Sequence, residues 1–185
     1  MIKLIKQLQK YATGRVVLLL FIITMIVYLI ILFYTIPTVI AQAPGMQLFD
    51  MSPKGYNLTY ANKLLIAIGP IGREAYLKRQ LPIDFIYPGL FAVTYSLMVV
   101  WLFGKRLDKN SKVFFLALIP IAAGLFDYFE NIGIILMLKS FPNINPMLVY
   151  ISSMLSILKS TMTISFYLLL CYGFLLLFIK RKSSI

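Results

Sequence analysis

Residues 16–40 read VVLLLFIITMIVYLIILFYTIPTVI, twenty-five consecutive positions without a charged side chain. At a rise of about 1.5 Å per residue, an α-helix of that length crosses the roughly 30 Å hydrocarbon core of a bilayer. A helix apolar on every face needs a non-aqueous neighbour on every side. A chain of 185 residues, 61% of them hydrophobic and 13% charged, has too little interior to supply one. Lipid can, so the run is predicted to be a transmembrane helix. A basic start followed by an apolar run also describes a signal peptide, and Ala41-Gln42-Ala43 has the form of a cleavage box. The apolar core of a signal peptide is nevertheless only about 7–15 residues long, and Pro44 would follow the scissile bond. The helix is expected to remain uncleaved.

Three more apolar runs follow, at 84–103 (DFIYPGLFAVTYSLMVVWLF), 113–138 (VFFLALIPIAAGLFDYFENIGIILML) and 147–179 (MLVYISSMLSILKSTMTISFYLLLCYGFLLLFI). Trp101 suits an interface at the end of the second, Pro120 should bend the third, and the fourth exceeds one crossing and must tilt or project. The predicted fold is all-α: an integral membrane four-helix bundle forming one membrane domain over residues 1–185. The long connection, 41–83, opens with the turn formers Pro44, Gly45, Pro53 and Gly55. Asn57 is then a candidate N-cap for a helix with Leu58, Ala61, Leu64, Leu65 and Ile68 on one face, stopped by Gly69-Pro70-Ile71-Gly72. A second short helix is predicted from Arg73 to Leu81, ending before Pro82. Such amphipathic helices read as lying on the membrane surface; a lid over a mouth between the spans is the alternative.

Charge sets the orientation. Lys3, Lys6, Lys10 and Arg15 precede the first run, Lys105, Arg106, Lys109 and Lys112 lie between the second and third, and Lys180, Arg181 and Lys182 follow the fourth. Eleven of the eighteen basic residues thus fall on one side of a four-span chain. By the positive-inside rule both termini are cytoplasmic, the connection 41–83 is on the outer side, and the location is the cell membrane. The net charge of +12 is therefore a topology signal, and no compact basic domain for nucleic acid is expected. The chain has no histidine and one cysteine, Cys171, which excludes Ser-His-Asp, Cys-His and His-zinc chemistry and an internal disulfide.

Few charges fall inside the runs: Asp127, Glu130 and Lys159, with Asp84 at the outer edge of the second. Each costs about 2.5–3.5 kcal/mol at a helix centre unless it is partnered. Asp127, Glu130 and Asn131 stand at i, i+3 and i+4 on one helix face. Ser152, Ser156, Lys159 and Thr163 form a stripe on the fourth run, Asp84, Pro88 and Tyr95 on the second, and Thr24, Tyr28 and Thr35 on the first. Lipid disfavours every one of these stripes, so they should meet inside the bundle. From the helical rise, Lys159 and Asp127 both lie roughly 16–18 Å below the outer ends of their helices. The predicted site is a buried cluster of Asp127, Glu130, Asn131 and Lys159, open to the outer side, with Arg73, Asp84, Tyr95, Tyr28 and Ser156 as walls.

Two acids sharing one ammonium leave a surplus negative charge in a low dielectric, which favours retention of a proton on one acid and would couple binding to protons. Two carboxylates and an amide are too few ligands for a divalent metal, with Lys159 competing for them, and no cofactor is expected. Three functions stay open. The first is a protein that binds a small molecule or lipid, in which transport would require an oligomer. The second is an intramembrane enzyme acting on a lipid-soluble substrate, with Asp127 or Glu130 as acid or base. The third is a structural or partner subunit whose charge cluster only fixes helix register.

Overall fold

A computed structural model of the chain describes residues 2–178. All of its regular structure is helical. α1 is Ile2–Tyr11, α2 Gly14–Ile40, α3 Leu58–Ala67, α4 Gly69–Gly104, α5 Lys112–Ser140 and α6 Pro146–Phe178. Four of these, α2, α4, α5 and α6, are long and apolar enough to cross a membrane, so the chain has the architecture of a multi-pass membrane protein. The cluster Lys180, Arg181 and Lys182 and the last residue of the fourth predicted run lie outside the described residues.

The outward surface accords with a bilayer. Leu18, Leu19, Ile26 and Phe33 on α2, Leu125, Phe129 and Leu136 on α5, and Ile164, Leu168 and Leu175 on α6 are all exposed. A water-facing monomer does not carry an apolar girdle of this extent. The interior divides into two apolar clusters. One, at the end bearing the long connection, joins Val39, Leu48, Phe49, Leu64, Leu65, Tyr76, Ile134 and Met137. The other, toward the N-terminal helix, joins Ile5, Phe91, Tyr95, Val99, Phe103, Phe114 and Phe166. α2 packs on α4, α4 on α5 and α5 on α6, whereas α2 and α6 scarcely touch.

The structure departs from the sequence reading in four places, each with a local cause. Residues 2–11 are helical, with Ile5 buried and the Gln9 side-chain amide donating to the Lys109 carbonyl at 2.8 Å, where the reading saw only a basic leader. The second crossing helix starts at Gly69, not at residue 84. The stretch read as ending before Pro82 continues through it: a π turn over Tyr76–Gln80 widens the helix, and Pro82 sits in the first turn of the next segment, where its ring is tolerated. α2 solves Pro37 in the same way, with a π turn over Ile31–Thr35. Pro120 does not fall mid-helix; it follows tight 3₁₀ turns over Lys112–Ala117 that open α5.

The fourth departure concerns the long connection. Asn57 caps α3 as expected, accepting from the Tyr60 amide at 2.8 Å. The face expected on a membrane surface is covered by protein instead, since Ala61, Leu64, Leu65 and Ile68 are all fully buried. Residues 49–56 fold back along α6. The Tyr56 amide donates to Ser153 Oγ at 2.8 Å, Ser156 Oγ to the Ser52 carbonyl at 3.0 Å, and Lys159 Nζ to the Asp50 carbonyl at 3.1 Å. The polar stripe of α6 therefore binds the irregular backbone of the connection. Gly55 makes the approach possible: its φ is +76°, and a Cβ there would lie 2.5 Å from Ser153 Oγ.

Candidate functional site

Pro88 shapes the centre of the molecule. It lacks the amide that would bond the Asp84 carbonyl in a regular helix, and α4 turns at Phe85 and Ile86. Asn131 Nδ2 takes over that donation, reaching the Asp84 carbonyl at 3.2 Å. The same face of α5 carries Asp127 and Glu130. Lys159 of α6 answers them, with Nζ 2.5 Å from Glu130 Oε2 and 3.3 Å from Asp127 Oδ1. Its third contact is the Asp50 carbonyl. Two of its N–H donors are placed on Asp127 Oδ1 and the Asp50 carbonyl, and the Glu130 contact is a close ion pair.

Asp50 joins the cluster from the connection. Its carboxylate accepts from the Tyr76 hydroxyl and from Gln80 Nε2 at 3.1 Å, and Gln80 Oε1 accepts from Thr35. The two π turns thus end on Thr35 and Gln80, which bond each other. Nearby, Tyr56 Oη and Ser152 Oγ lie 2.7 Å apart, and burial pushes the Tyr56 phenol up, keeping it neutral. Four of the chain's six acidic residues, Asp50, Asp84, Asp127 and Glu130, are gathered around one lysine.

Beside this cluster is a cavity of about 290 Å³. All four crossing helices line it: Tyr28 and Ile31 from α2, Asp84, Tyr87 and Phe91 from α4, Ala123, Gly124 and Asp127 from α5, and Lys159, Ser160, Thr163 and Ile164 from α6. Asp50, Met51 and Pro53 complete it. These belong to the folded-back connection. The exposed members of the lining are Tyr28 (37%) on α2, Ile164 (58%) on α6, and Met51 (42%) and Pro53 in the connection, so the rim runs between α2 and α6 and along the edge of the connection. Gly124 keeps α5 close to α4, because a Cβ there would come within 2.6 Å of the Pro88 carbonyl.

The residues singled out from the sequence divide clearly. Asp127, Glu130, Asn131 and Lys159 come together, and Asp84 and Tyr28 line the cavity beside them. Tyr95 does not: it is buried against Phe91 and Phe166, with its hydroxyl 3.9 Å from Met25 Sδ. Ser156 holds the Ser52 carbonyl and is absent from the cavity wall. Arg73 lies elsewhere, donating to the Leu65 carbonyl at 2.6 Å and stacking over Phe141 at 4.5 Å. The sequence reading missed Asp50, Gln80 and Tyr87. A signal for Asp50 was present, because Leu48, Phe49 and Met51 flank it and such apolar neighbours do not suit a solvated loop.

The unsatisfied atoms are informative. Asp84 Oδ2, both carboxylate oxygens of Glu130 and Asn131 Oδ1 are buried without a hydrogen-bond partner among the described residues, although Glu130 Oε2 has the Lys159 ammonium beside it. Buried polar groups are rarely left so, and of these three residues only Asp84 is in the cavity wall. No family model, no curated protein and no solved structure matches this chain.

Proposed function

We propose that this chain is a multi-pass protein of the cell membrane, with both termini cytoplasmic, that binds a small molecule or lipid in the cavity between its four crossing helices. The observation that carries the reading is the cavity itself: about 290 Å³, walled mainly by apolar side chains and bordered at one end by Asp50, Asp84, Asp127 and Lys159. Few polar groups set in an apolar wall are the usual composition of a ligand site, and this volume is at the small end of the range. A rim that includes the gap between α2 and α6 supports entry from the bilayer.

The cluster also supports a structural role for part of itself. Lys159 ties α5 and the connection to α6, so it acts as a clamp whether or not a ligand is present. The ligand-binding share falls on the carboxylates that line the cavity. Mass spectrometry of what co-purifies with the wild type and with Asp127→Asn tests the proposal. An organic molecule carried by the wild type and depleted in the variant is the expected result. Identical, empty profiles would leave the cluster as a register-fixing clamp.

A further inference from the structure

Asp84 is 5% exposed and lines the cavity, yet its Oδ2 has no donor. Among the described residues no Lys or Arg nitrogen lies within 4.0 Å of its carboxylate. The neighbours that could help are committed. Lys159 serves Glu130, Asp127 and the Asp50 carbonyl, and Gln80 and Tyr76 serve the Asp50 carboxylate. Asn131 Nδ2 serves Asp84's own backbone. Asp84 therefore borders the cavity with a side chain that no protein donor serves, and a buried charge in that condition is unfavourable.

The surroundings specify what would relieve it. The rings of Tyr28 and Tyr87 pack with centroids 5.6 Å apart in the wall, with Phe91 beside them. Aromatic faces near a carboxylate favour a cation bearing carbon substituents. An anion would meet three carboxylates on the wall. A metal ion would lack ligands, since no group of three His, Cys, Asp or Glu among the described residues is placed to hold one. We propose that the cavity takes an amphiphilic organic cation, an amine or ammonium whose head seats on Asp84 and whose chain leaves between α2 and α6. This identification rests on the ligand-binding reading above and names its substrate class. At roughly 30 Å³ per non-hydrogen atom in a liquid, the cavity has room for about ten such atoms, an ammonium with a chain of about eight carbons.

The test is native mass spectrometry of the full chain from a neutral detergent, with octylammonium, octanol and octanoate each offered at the same concentration. The octylammonium adduct should exceed the other two by about tenfold or more on the wild type. It should fall by about tenfold or more in Asp84→Asn, the usual worth of a charge-assisted contact. Asp108→Asn, which removes an exposed acid that is not part of the cavity wall, should leave it unchanged. Octanol or octanoate binding as well as octylammonium overturns the cation assignment and leaves ligand binding standing. Equal octylammonium adducts on the wild type and Asp84→Asn overturn Asp84 as the seat. Absence of all three adducts from the wild type overturns both readings. If Asp84→Asn does not fold, the ranking of the three probes on the wild type still decides.

Discussion

At the scale of single residues, Lys159 and Asp84 carry buried charges in opposite circumstances, and their variants should behave in opposite ways. Lys159 has three oxygen partners drawn from two other parts of the chain. Lys159→Gln would leave Asp127 and Glu130 facing each other without a cation, a change that costs about 3–5 kcal/mol when one member of a buried pair is removed. Its thermal midpoint in neutral detergent should fall by many degrees, and Lys159→Gln combined with Glu130→Gln should recover part of the loss. Asp84 has no partner to lose. Asp84→Asn removes a buried charge while keeping the shape, so its midpoint should be unchanged or higher than that of the wild type. A fall in Asp84→Asn comparable to that of Lys159→Gln would mean that Asp84 is held by an interaction the protein itself supplies. The pairing of Lys159 with Asp127 and Glu130 was legible in the sequence, because helical spacing puts both acids on one face and depth along the helix puts Lys159 level with them. The isolation of Asp84 was not, because it depends on the other donors being occupied.

At the scale of elements, legibility follows whether a segment's structure is decided locally. The four apolar stretches declare themselves by length and composition, and the α3 cap by Asn57. The start of the second was misjudged because Pro82 was read as a stop. Pro82 sits instead just after a π turn, as Pro37 does in the first, and each helix runs on. The path of residues 49–56 was hidden for a different reason: its anchors lie about a hundred positions away, as in the bond from Lys159 to the Asp50 carbonyl across 109 residues. Spacing rules see only near neighbours, and the stripe Ser152, Ser156 and Lys159 was legible as polar without disclosing what it binds. Two glycines separate the conformational and packing requirements of this segment. Gly45 has a φ of +83° with open space around it, whereas Gly55 has a φ of +76° with Ser153 and Ile157 against it. Gly45→Ala should cost about 1 kcal/mol for the left-handed backbone alone. Gly55→Ala carries the same backbone penalty plus displacement of α6 or the connection, for a total of about 2–4 kcal/mol. Denaturant unfolding of the two variants side by side measures the difference, and equal losses would show that the connection does not press on α6.

At the scale of the whole molecule, orientation follows from where the charges sit relative to the two ends of the bundle. α1 and the α4–α5 turn share one end, joined by the contact of Gln9 with the Lys109 carbonyl, and between them they carry Lys3, Lys6, Lys10, Lys105, Arg106, Lys109 and Lys112. The other end holds α3 and the start of α6. It is tied together by an apolar cluster, with Lys54, Lys63, Arg73, Lys78, Arg79 and Lys139 dispersed over it. Trp101 lies under Lys105 at 3.9 Å, near the basic end, as suits an aromatic ring at the level of lipid headgroups. By the positive-inside rule the denser positive end is expected in the cytoplasm. A cysteine probe reads this directly, because Cys171 is the single native thiol and Cys171→Ser removes it. Lys63 and Lys109 are both exposed and lie at opposite ends. In intact cells an impermeant maleimide should label Lys63→Cys, and it should reach Lys109→Cys only after the membrane is permeabilised. The converse pattern would put the connection, and with it the Asp50 side of the cavity, in the cytoplasm. Because the rim includes the gap between α2 and α6, the proposed entry from the bilayer is compatible with either orientation; what the labelling fixes is which compartment faces Asp50 and the connection.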